Sequence, residues 1–320
     1  MKLHRAIAVT WTIAALFSLS GCSTVGETSG TSATASALPD ISGLAWISDD
    51  QFLAVHDAKN PDDRPRVSLV DLPRSSTGPA GQPVELSWPE PHGLSSDLES
   101  AAGIPGTSLI LLLESGSAKR NDTPSRRIVL VEHRDRRLEM LNVVDWPVLV
   151  KNVEGAAVAR VGNQLIFLFA ERAEGQRNTP LRWSPLTIEP LAFGSFQEVT
   201  FTSPDPTGPY ARPVSAIEID EVGRIYIAST VDPGNDNGPF RSVIWRIGRM
   251  EADDWGKPRV ILYQPPQRLA ALDGVKVEGL ALRQKADGDP DIFFGTDDEN
   301  YGGILRLVPR KTDRPRKRDR

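Results

Sequence analysis

Hydrophobic residues along this chain occur in short runs, and proline, glycine or charged residues separate one run from the next. Five of the runs open with a similar sequence: "DISGLAW" at 40–46, "DLESAAG" at 97–103, "NVEGAAV" at 152–158, "PVSAIEI" at 213–219 and "KVEGLAL" at 276–282. Long patterns with the period of a helix are absent, and short runs bounded by turn residues are typical of strands. The pattern predicts an all-β protein.

The five openings head five similar units, each roughly 60 residues long. A turn and a second apolar run follow each opening, as in "QLIFLFAE" at 164–171. A third run follows a polar loop, as in "RIVLVEH" at 127–133. Four short antiparallel strands per unit, repeated around an axis, define a β-propeller. We therefore predict a β-propeller domain over 40–309 with five four-stranded blades; a sixth, degenerate blade is the alternative.

The fourth run is present in the first four units: "VELSWP" at 84–89, "NVVDWP" at 142–147, "EVTFTSP" at 198–204 and "VILYQP" at 260–265. Proline at its end suits an outermost strand, which has one edge without a hydrogen-bonding partner. The fifth unit has no such run. Its blade either stays open or takes a strand from the segment near the predicted tether, which would close the ring.

Charged residues recur where three strand ends of each blade should meet at one rim. The first inner-strand position carries Ser42, Glu99, Glu154, Ser215 and Glu278; the end of the second strand carries Asp57, Glu114, Glu171, Thr230 and Asp297; the third strand starts at Arg66, Arg127, Arg182, Arg241 and Gly303. Hairpin geometry predicts that each first-strand glutamate lies beside the acid of the second strand. Such carboxylates need arginine, backbone N–H groups or a hard cation as partners.

The rim is therefore either a structural belt of ion pairs or a binding site. The candidate binding residues are Asp57, Glu99, Glu114, Arg127, Glu154, Glu171, Arg241, Lys276 and Glu278. We expect Arg127 to serve Glu114 and Arg241 to serve a neighbouring blade. The fifth blade has no arginine at its third-strand start, so Glu278 and Asp297 should use Lys276 or hold a metal. "GTDDEN" at 295–300 makes Glu278, Asp297 and Asp298 the candidate metal ligands.

Catalytic motifs based on serine or zinc are missing from the sequence, which has no G-x-S-x-G elbow, no S-x-x-K pair and no zinc-type spacing of cysteine and histidine. His56 precedes the rim residue Asp57 and is the one candidate general base among the histidines. A histidine held by a neighbouring group at a strand end is the structural alternative.

The amino-terminal residues have the order of a secretory signal: basic "MKLHR", an apolar run too short to span a membrane, and "LSGC" at 19–22. Cys22 is the single cysteine of the 320 residues, so no disulfide forms within the chain. "LSGC" resembles a bacterial lipobox. The resemblance implies a signal peptide at 1–21, lipid on Cys22, and an extracytoplasmic protein anchored to a membrane, the outer membrane facing the periplasm in a Gram-negative host.

Small polar residues at 22–39 predict a flexible tether, and the basic residues 310–320 predict a disordered tail. The formal net charge of −5 becomes −7 without the signal peptide, and the tail carries +5, so the body is at about −12. An acidic body argues against nucleic acid as a partner. We expect a monomer whose partners are the membrane, through the lipid, and a small-molecule or cell-envelope ligand.

Three segments carry a family resemblance: "DLESAAGIPGTSLILLLESGS" at 97–117, "NVEGAAVARVGNQLIFLFAER" at 152–172, and "KVEGLAL" with "IFFGTDDEN" at 276–300. They resemble the phytase-like, or esterase-like, bacterial β-propellers and related secreted propellers. The resemblance implies calcium held by Glu99, Glu154 and Glu278, with Lys276, Arg127 and Arg241 gripping an anionic group. Ser42, Ser215 and Ser100 depart from the family pattern.

Two hypotheses for function follow. In the first, the protein binds a ligand at the acidic and arginine-lined channel rim and is a calcium-dependent phosphoester or ester hydrolase. In the second, it is a non-catalytic envelope scaffold or ligand sensor. The second gains if the rim glutamates bind backbone N–H groups of the neighbouring blade and leave no free carboxylate.

Overall fold

The computed structural model describes residues 38–60, 62, 65–72, 80–87, 93–117, 119–120, 123–124, 126–234, 237–286, 288–298 and 302–309. The chain divides into two units, Met1–Ala35 and Ser36–Arg320, and the first lies wholly outside the described residues. The predicted signal peptide, Cys22, most of the tether and the basic tail also lie outside them. Within the described ranges, no helix has the length and apolar character needed to cross a membrane.

The strands form five small antiparallel sheets that follow one another along the chain. Blade 1 contains β1 (Gly43–Ser48), β2 (Gln51–Val55), β3 (Val67–Asp71) and β4 (Ala80–Pro83). Blade 2 contains β5 (Leu98–Gly103), β6 (Leu109–Glu114), β9 (Arg127–Arg134) and β10 (Arg137–Asp145), with a hairpin of β7 (Lys119–Arg120) and β8 (Thr123–Pro124) in a connection.

Blade 3 contains β11 (Val153–Val161), β12 (Gln164–Glu171) and β13 (Asn178–Thr187), and both β14 (Ala192–Phe193) and β15 (Gln197–Thr202) pair with β13. Blade 4 contains β16 (Ala211–Ile219), β17 (Arg224–Val231), β18 (Arg241–Ala252) and β19 (Pro258–Asp273). Blade 5 contains β20 (Val277–Arg283), β21 (Asp291–Thr296) and β22 (Leu305–Leu307).

The inner strands β1, β5, β11, β16 and β20 form a closed ring. Each packs against the inner strand of the next blade, and β20 packs against β1. The buried apolar residues form layers between adjacent blades, such as the one that joins Phe52 and Leu44 of blade 1 to Phe293 of blade 5. The protein is therefore a five-bladed β-propeller, and the fold predicted from the repeat is confirmed.

The ring closes through the beginning of the described chain. Leu38 forms an antiparallel bridge with Gly303, whose N–H donates to the Leu38 carbonyl at 2.8 Å. The Ile41 N–H donates to the Thr296 carbonyl at 2.8 Å. The side chains of Leu38 and Ile41 are both buried. Of the two alternatives for the incomplete fifth blade, the structure has the one in which an amino-terminal segment lies beside its third strand.

Glycines in the inner strands allow neighbouring blades to approach closely. A Cβ atom on Gly155 would lie 2.7 Å from the Ile217 nitrogen of blade 4, and one on Gly43 would lie 2.7 Å from the Ser100 Cα of blade 2. Blade 2 has Ser100 at this position instead of glycine. Its hydroxyl accepts the Ala156 N–H at 3.0 Å, so a hydrogen bond to blade 3 takes the place of bare backbone contact.

Blade 1 corrects one detail of the strand prediction. Its fourth strand is β4 at Ala80–Pro83 and pairs with β3, whereas the sequence predicted this strand at 84–89. Residues 84–87 form no strand, and 88–89 lie outside the described residues. Leu86 is buried in the layer between blades 1 and 2, so the apolar pattern at 84–86 reflects packing rather than strand pairing.

Candidate functional site

The three rim glutamates lie at β-bulges in their inner strands. In blade 2 the pairing passes from Leu98↔Glu114 to Ser100↔Leu113, in blade 3 from Val153↔Glu171 to Gly155↔Ala170, and in blade 5 from Val277↔Thr296 to Gly279↔Gly295. Glu99, Glu154 and Glu278 are the residues left out of the pairing. A bulge turns the side chain of its extra residue out of the regular pleat. All three carboxylates are buried where the inner strands begin.

The register differs by one residue from the predicted pairs of carboxylates. Glu114 lies opposite Leu98, and Glu171 lies opposite Val153, so neither shares a pair position with a rim glutamate. A hairpin without a bulge would have placed them side by side. No pattern in the sequence indicated the bulges.

Arg212 of blade 4 connects the glutamates of two other blades. Its guanidinium lies 2.7 Å from Glu278 Oε1 and 3.8 Å from Glu154 Oε2, and it also donates to Asp232. Glu154 also accepts a hydrogen bond from Arg172 of its own blade. These groups are buried or nearly so, and each carboxylate is paired with a cation. This part of the rim is an ion-pair network that links blades 3, 4 and 5.

Of the two partners predicted for the blade 5 acids, a metal or Lys276, the structure has Lys276. Its Nζ atom lies 2.6 Å from Asp297 Oδ2 and 3.5 Å from both Glu278 Oε1 and Asp232 Oδ2. Its backbone N–H donates to Asp298 Oδ1 at 2.7 Å. Burial raises the pKa of Asp297, but the Lys276 ammonium, a hydrogen bond with Glu278 and the charge of Arg212 together hold that pKa below its ordinary value. An internal ammonium therefore neutralises this cluster, and the predicted ligands do not leave a free cation position.

Glu99 is the rim glutamate that remains unpaired. Only 6% of it is exposed, and its carboxylate makes no hydrogen bond or ion pair within the described residues. Burial raises the pKa of Glu99 well above its ordinary value, and the nearby carboxylates of Glu154, Asp97 and Glu278 raise it further. Glu99 thus favours its protonated form in the absence of an additional cation.

Asp57 and Asp97 complete an acidic group with Glu99. One oxygen from each of the three carboxylates lies within 4.8 Å of the others. Lys59 Nζ lies 2.6 Å from Asp57 and 3.3 Å from Asp97. Burial raises the pKa of Asp97, but hydrogen bonds from Ser115 and Ser117 and the charge of Lys59 hold it below its ordinary value.

This acidic group is open to solvent on the side of blade 1. The side chain of Asp57 is 40% exposed and that of Lys59 is 54% exposed, whereas the side chain of Asp97 is 1% exposed. A polar ligand can therefore reach Asp57 first and Glu99 behind it. Beside Asp57, the pKa of Glu99 is raised and that of Asp97 is lowered, and two carboxyl groups with opposed pKa shifts are an arrangement used in acid–base catalysis.

The predicted cationic residues lie elsewhere or are already engaged. Arg127 donates to Glu114 in a buried pair, and its guanidinium also donates to the carbonyls of Gly93 and Leu94. Arg241 binds Asp205, which follows the last strand of blade 3, at 2.7 Å. Arg127 therefore pairs with Glu114 and Arg241 with a neighbouring blade, as predicted. Both arginines connect segments that are separate along the chain.

Glu171 lies outside the network of channel carboxylates. Its carboxylate accepts the Lys151 N–H at 2.6 Å and pairs with Arg182 at 3.2 Å. These contacts tie the end of β12 to the preceding loop and to β13. The described contacts give Glu171 a role in blade 3 rather than at the channel.

His56 is a buried structural residue in this fold. Its Nδ1 atom lies 2.6 Å from the Asp40 carbonyl oxygen, and its Nε2 atom lies 2.9 Å from the Ser68 hydroxyl. Burial lowers the pKa of His56, against the effects of Asp40 and Asp57. Both ring nitrogens are occupied and the residue is 4% exposed, so the structural alternative describes it better than the role of general base.

Calcium, the cofactor implied by the family resemblance, suits one of the two acidic clusters. The Glu278, Asp297 and Asp298 cluster already contains Lys276, so it does not fit a further cation. Asp57, Asp97 and Glu99 fit better, because hard cations take carboxylate oxygens and Glu99 lacks a partner. Lys59 would have to move aside from two of these carboxylates.

Several residues of the site were not found from the sequence. Arg212, Asp232, Arg172 and Lys59 do not recur at equivalent positions in the blades, so the repeat gave no reason to select them, and Asp97 has a counterpart only in Asp40. Blade 4 contained one signal: Ser215 and Thr230 stand at its two acidic rim positions, while Arg212 and Asp232 flank them. The charged residues Arg212 and Asp232, close to these two uncharged rim positions, were the sequence feature that could have indicated the network.

The sequence matches no protein-family model, and no curated protein matches it significantly. Solved structures similar in fold include an exo-1,5-α-L-arabinanase from a bovine ruminal metagenomic library, with 12% identity, a TM-score of 0.49, and coverage of 85% of this chain and 94% of that one. An α-L-arabinanase of Cellvibrio cellulosa has 12% identity, a TM-score of 0.46, and coverage of 85% and 91%.

A GH43 endo-arabinanase from Bacillus licheniformis has 10% identity, a TM-score of 0.44, and coverage of 84% of this chain and 94% of that one. These similarities are too low to carry an argument about activity. The function of this chain is therefore argued from its own residues.

Proposed function

We propose that the acidic group at Asp57, Asp97 and Glu99 is the active site of a hydrolase. The observation that carries the proposal is Glu99, a buried and unpaired carboxyl beside two carboxylates, one of which is open to solvent. Glu99, kept protonated by its surroundings, donates a proton to the leaving group. Asp57 accepts a proton from the attacking water, and Asp97 holds Lys59 in place.

The substrate that suits this site is uncharged. Across the channel end, Asp57, Asp97, Glu99, Glu154, Glu278, Asp232, Asp297 and Asp298 face Lys59, Arg172, Arg212 and Lys276. Carboxylates outnumber the cations, so the field at the mouth repels an anionic group. An ester or a glycosidic bond between neutral groups is therefore favoured over a phosphoester.

A phosphoester substrate would need a bound cation, because the residues expected to grip it are engaged. Lys276, Arg127 and Arg241 all contact carboxylates. We propose that the site accepts such a substrate only when calcium is bound by Asp57, Asp97 and Glu99. Bound there, the ion would supply positive charge to an anionic leaving group.

The test is an assay of purified protein on neutral esters, aryl glycosides, phosphomonoesters and phytate, each with calcium or with a chelator. Glu99→Gln should lower turnover by about 10² to 10⁴-fold, the usual contribution of a general acid. Glu221→Gln, an exposed carboxylate outside the site, is the matched control and should leave turnover unchanged. If no substrate is turned over under any condition, the hydrolase proposal is wrong.

Calcium binding has its own measurement, independent of turnover. Titration calorimetry should show binding to the wild type and a loss of binding in Glu99→Gln. Lys276→Met distinguishes the two clusters, because it removes the internal ammonium from the Glu278 cluster only. If Glu99→Gln binds calcium as the wild type does, the ion does not occupy the proposed place.

The scaffold hypothesis is less well supported by the contacts of the glutamates. Glu154 and Glu278 pair with arginine, lysine and asparagine side chains, and among the described residues neither accepts a backbone N–H from the neighbouring blade. Glu99 leaves a free carboxyl. The ion pairs of Glu154 and Glu278 join blades, so among the described rim residues the carboxyl of Glu99 is the one that favours a binding site over a purely structural role.

We also propose that lipid on Cys22 anchors the protein to a membrane, with the propeller outside the cytoplasm. The support is the sequence order of the first 22 residues alone. Cell fractionation of Cys22→Ala should show release from the membrane or an unprocessed precursor. A mature, membrane-bound band identical to that of the wild type would contradict the anchor.

A further inference from the structure

A cavity of about 620 Å³ lies at the end of the channel opposite the acidic site. The cavity is lined by residues at the ends of the inner strands, whereas the acidic site lies at the beginnings of those strands. Its walls include Trp46 of β1, Ile104 after β5, Val158 of β11 and Leu282 of β20. A cavity of this size, with a larger apolar than polar surface and several polar groups in its wall, has the character of a small-molecule site.

Ion pairs and hydrogen bonds between blades hold this end of the channel in shape. The Arg160 guanidinium of blade 3 donates to the Pro105 carbonyl of blade 2 at 3.1 Å. Arg224 of blade 4 pairs with Asp289 of blade 5 at 2.7 Å, and Arg283 of blade 5 pairs with Asp50 of blade 1 at 2.6 Å. The cavity is therefore formed without a ligand, and little ordering is required on binding.

Glu218 is the polar group in the cavity wall that lacks a partner of opposite charge. Its one described hydrogen bond is from the adjacent Ile219 N–H at 3.1 Å, and no ion pair reaches it among the described residues. Burial raises the pKa of Glu218 to about 8. A partly buried carboxyl without a cationic partner is a suitable place for the charged group of a ligand.

The other titratable groups of the lining leave that position to a ligand. Arg160 from β11 donates to a carbonyl, and Asp220 at the end of β16 is held by Arg224 and Tyr226. His133 from β9 has a buried Nε2 atom without a partner, and burial followed by the charge of Arg136 lowers its pKa, so it is neutral. Glu221 is exposed at the mouth.

We propose that this cavity binds an organic amine with an apolar body, whose ammonium group pairs with the Glu218 carboxylate while the body packs against Trp46, Ile104 and Leu282. On binding, the Glu218 O–H loses its proton to solvent and the carboxylate accepts a hydrogen bond from the ammonium. No covalent bond changes. This site is separate from the proposed hydrolase site and does not depend on it.

The test compares 4-phenylbutylamine with its uncharged match, 4-phenylbutanol, by titration calorimetry on the full chain. The amine should bind about tenfold tighter or more, the usual worth of a charge-assisted hydrogen bond. At pH 7 its binding should release a proton, measured in two buffers of different ionisation enthalpy, while the alcohol releases none. Amine affinity should rise from pH 6 to about 8 and then level, because the carboxyl must first ionise.

Glu218→Gln should remove the preference for the amine and the pH dependence, and should leave alcohol binding unchanged. Glu221→Gln is the control for charge at the mouth, and Glu99→Gln is the control for the distant acidic site; both should keep the preference. Equal affinities of amine and alcohol for the wild type overturn the proposal. So does a preference that survives Glu218→Gln or is lost in Glu221→Gln, or failure of the amine to bind a protein that still unfolds cooperatively.

Discussion

Equivalent residues of the repeat have acquired different chemistry through their neighbours. Glu154 and Glu278 occupy the same strand position as Glu99, but Arg212 lies between them and pairs with both. Glu99 has the carboxylates of Glu154, Asp97 and Glu278 among its charged neighbours and pairs with no described cation. Burial raises the pKa of Glu278 as well as that of Glu99, so the difference between these two repeat positions lies in the partners of each side chain.

Glu99→Gln should stabilise the protein at neutral pH. The folded state raises the pKa of Glu99 above its ordinary value of 4.5, so the folded state binds the proton more tightly than the unfolded state. Its contribution to stability is therefore full below pH 4.5 and is lost as pH rises toward the folded pKa. Each unit of that rise is worth about 1.4 kcal/mol, which the amide side chain would recover.

Thermal unfolding at pH 4 and pH 7.5, in chelator, checks this prediction. The gain in Tm should appear at pH 7.5 and shrink at pH 4. An equal gain at both values would mean that the substitution acts through packing and not through ionisation.

Arg212→Met should destabilise the fold by about 3–5 kcal/mol, because it leaves Glu278 and Asp232 buried without their guanidinium partner. Arg241→Met is the matched comparison. It removes a half-exposed pair with Asp205 and should cost about 1 kcal/mol or less. Urea unfolding of both variants provides the numbers, and similar losses would show that the buried network contributes no more than a surface ion pair.

The sequence predicted the glutamates of the site because they repeat, and Lys276 because it stands in the fifth opening. It did not predict Arg212 and Arg172, which do not repeat. Glu99, Glu154 and Glu278 were recognisable from one position in three openings. Arg212 acts across blades from a position that has no counterpart elsewhere, and its role exists only when the ring is closed. Side chains that act between repeats leave no periodic signal in the chain.

Among the elements, the inner strands carry the clearest relation between sequence and structure. The glycine after each rim glutamate in "VEGAA" and "VEGLA" lies where the next inner strand passes, and the openings predicted these strands correctly. The bulge before that glycine was not predictable, since strand patterns specify which faces are apolar but not where one residue is left unpaired. Blade 1 shows the same limit, because apolar residues at 84–86 pack without pairing.

Gly155→Ala should destabilise the propeller by about 1–3 kcal/mol, the usual cost of overpacking. Its new methyl group would lie 2.7 Å from the Ile217 nitrogen and 3.0 Å from Ala216 backbone atoms, which cannot move independently of blade 4. Gly103→Ala is the control on a neighbouring inner strand, because the nearest atom to its methyl group would be 4.0 Å away. Denaturant midpoints that shift equally would show that blade spacing is adjustable.

At the scale of the whole molecule, the ring depends on its first described residues. Ile41 is fully buried between blades 1 and 5, and it lies close to Gly295 and Gly303 of the last blade. The sequence left the closure open because no fourth run follows the fifth unit. What decided it was a contact between segments more than 250 residues apart, which no local pattern encodes.

Ile41→Ala should lower the free energy of unfolding by about 2–5 kcal/mol, since it opens a cavity at the closure. Val222→Ala removes a residue that is 67% exposed and should change stability by about 0.5 kcal/mol or less. Calorimetric unfolding of the two variants compares them directly. A small effect of Ile41→Ala would mean that blade 5 holds its place without the amino-terminal segment.

The bridge between Leu38 and Gly303 brings the beginning and the end of the propeller domain together. Because the two ends of the ring meet within one hydrogen bond, the gene could begin at another blade without altering any inter-blade contact. Joining the two ends by a short linker and cutting at the Gly162 turn, where an added Cβ atom would have no neighbour within 4 Å, should yield a permuted chain with the same architecture. The order in which the blades are synthesised is therefore separable from the order in which they stand.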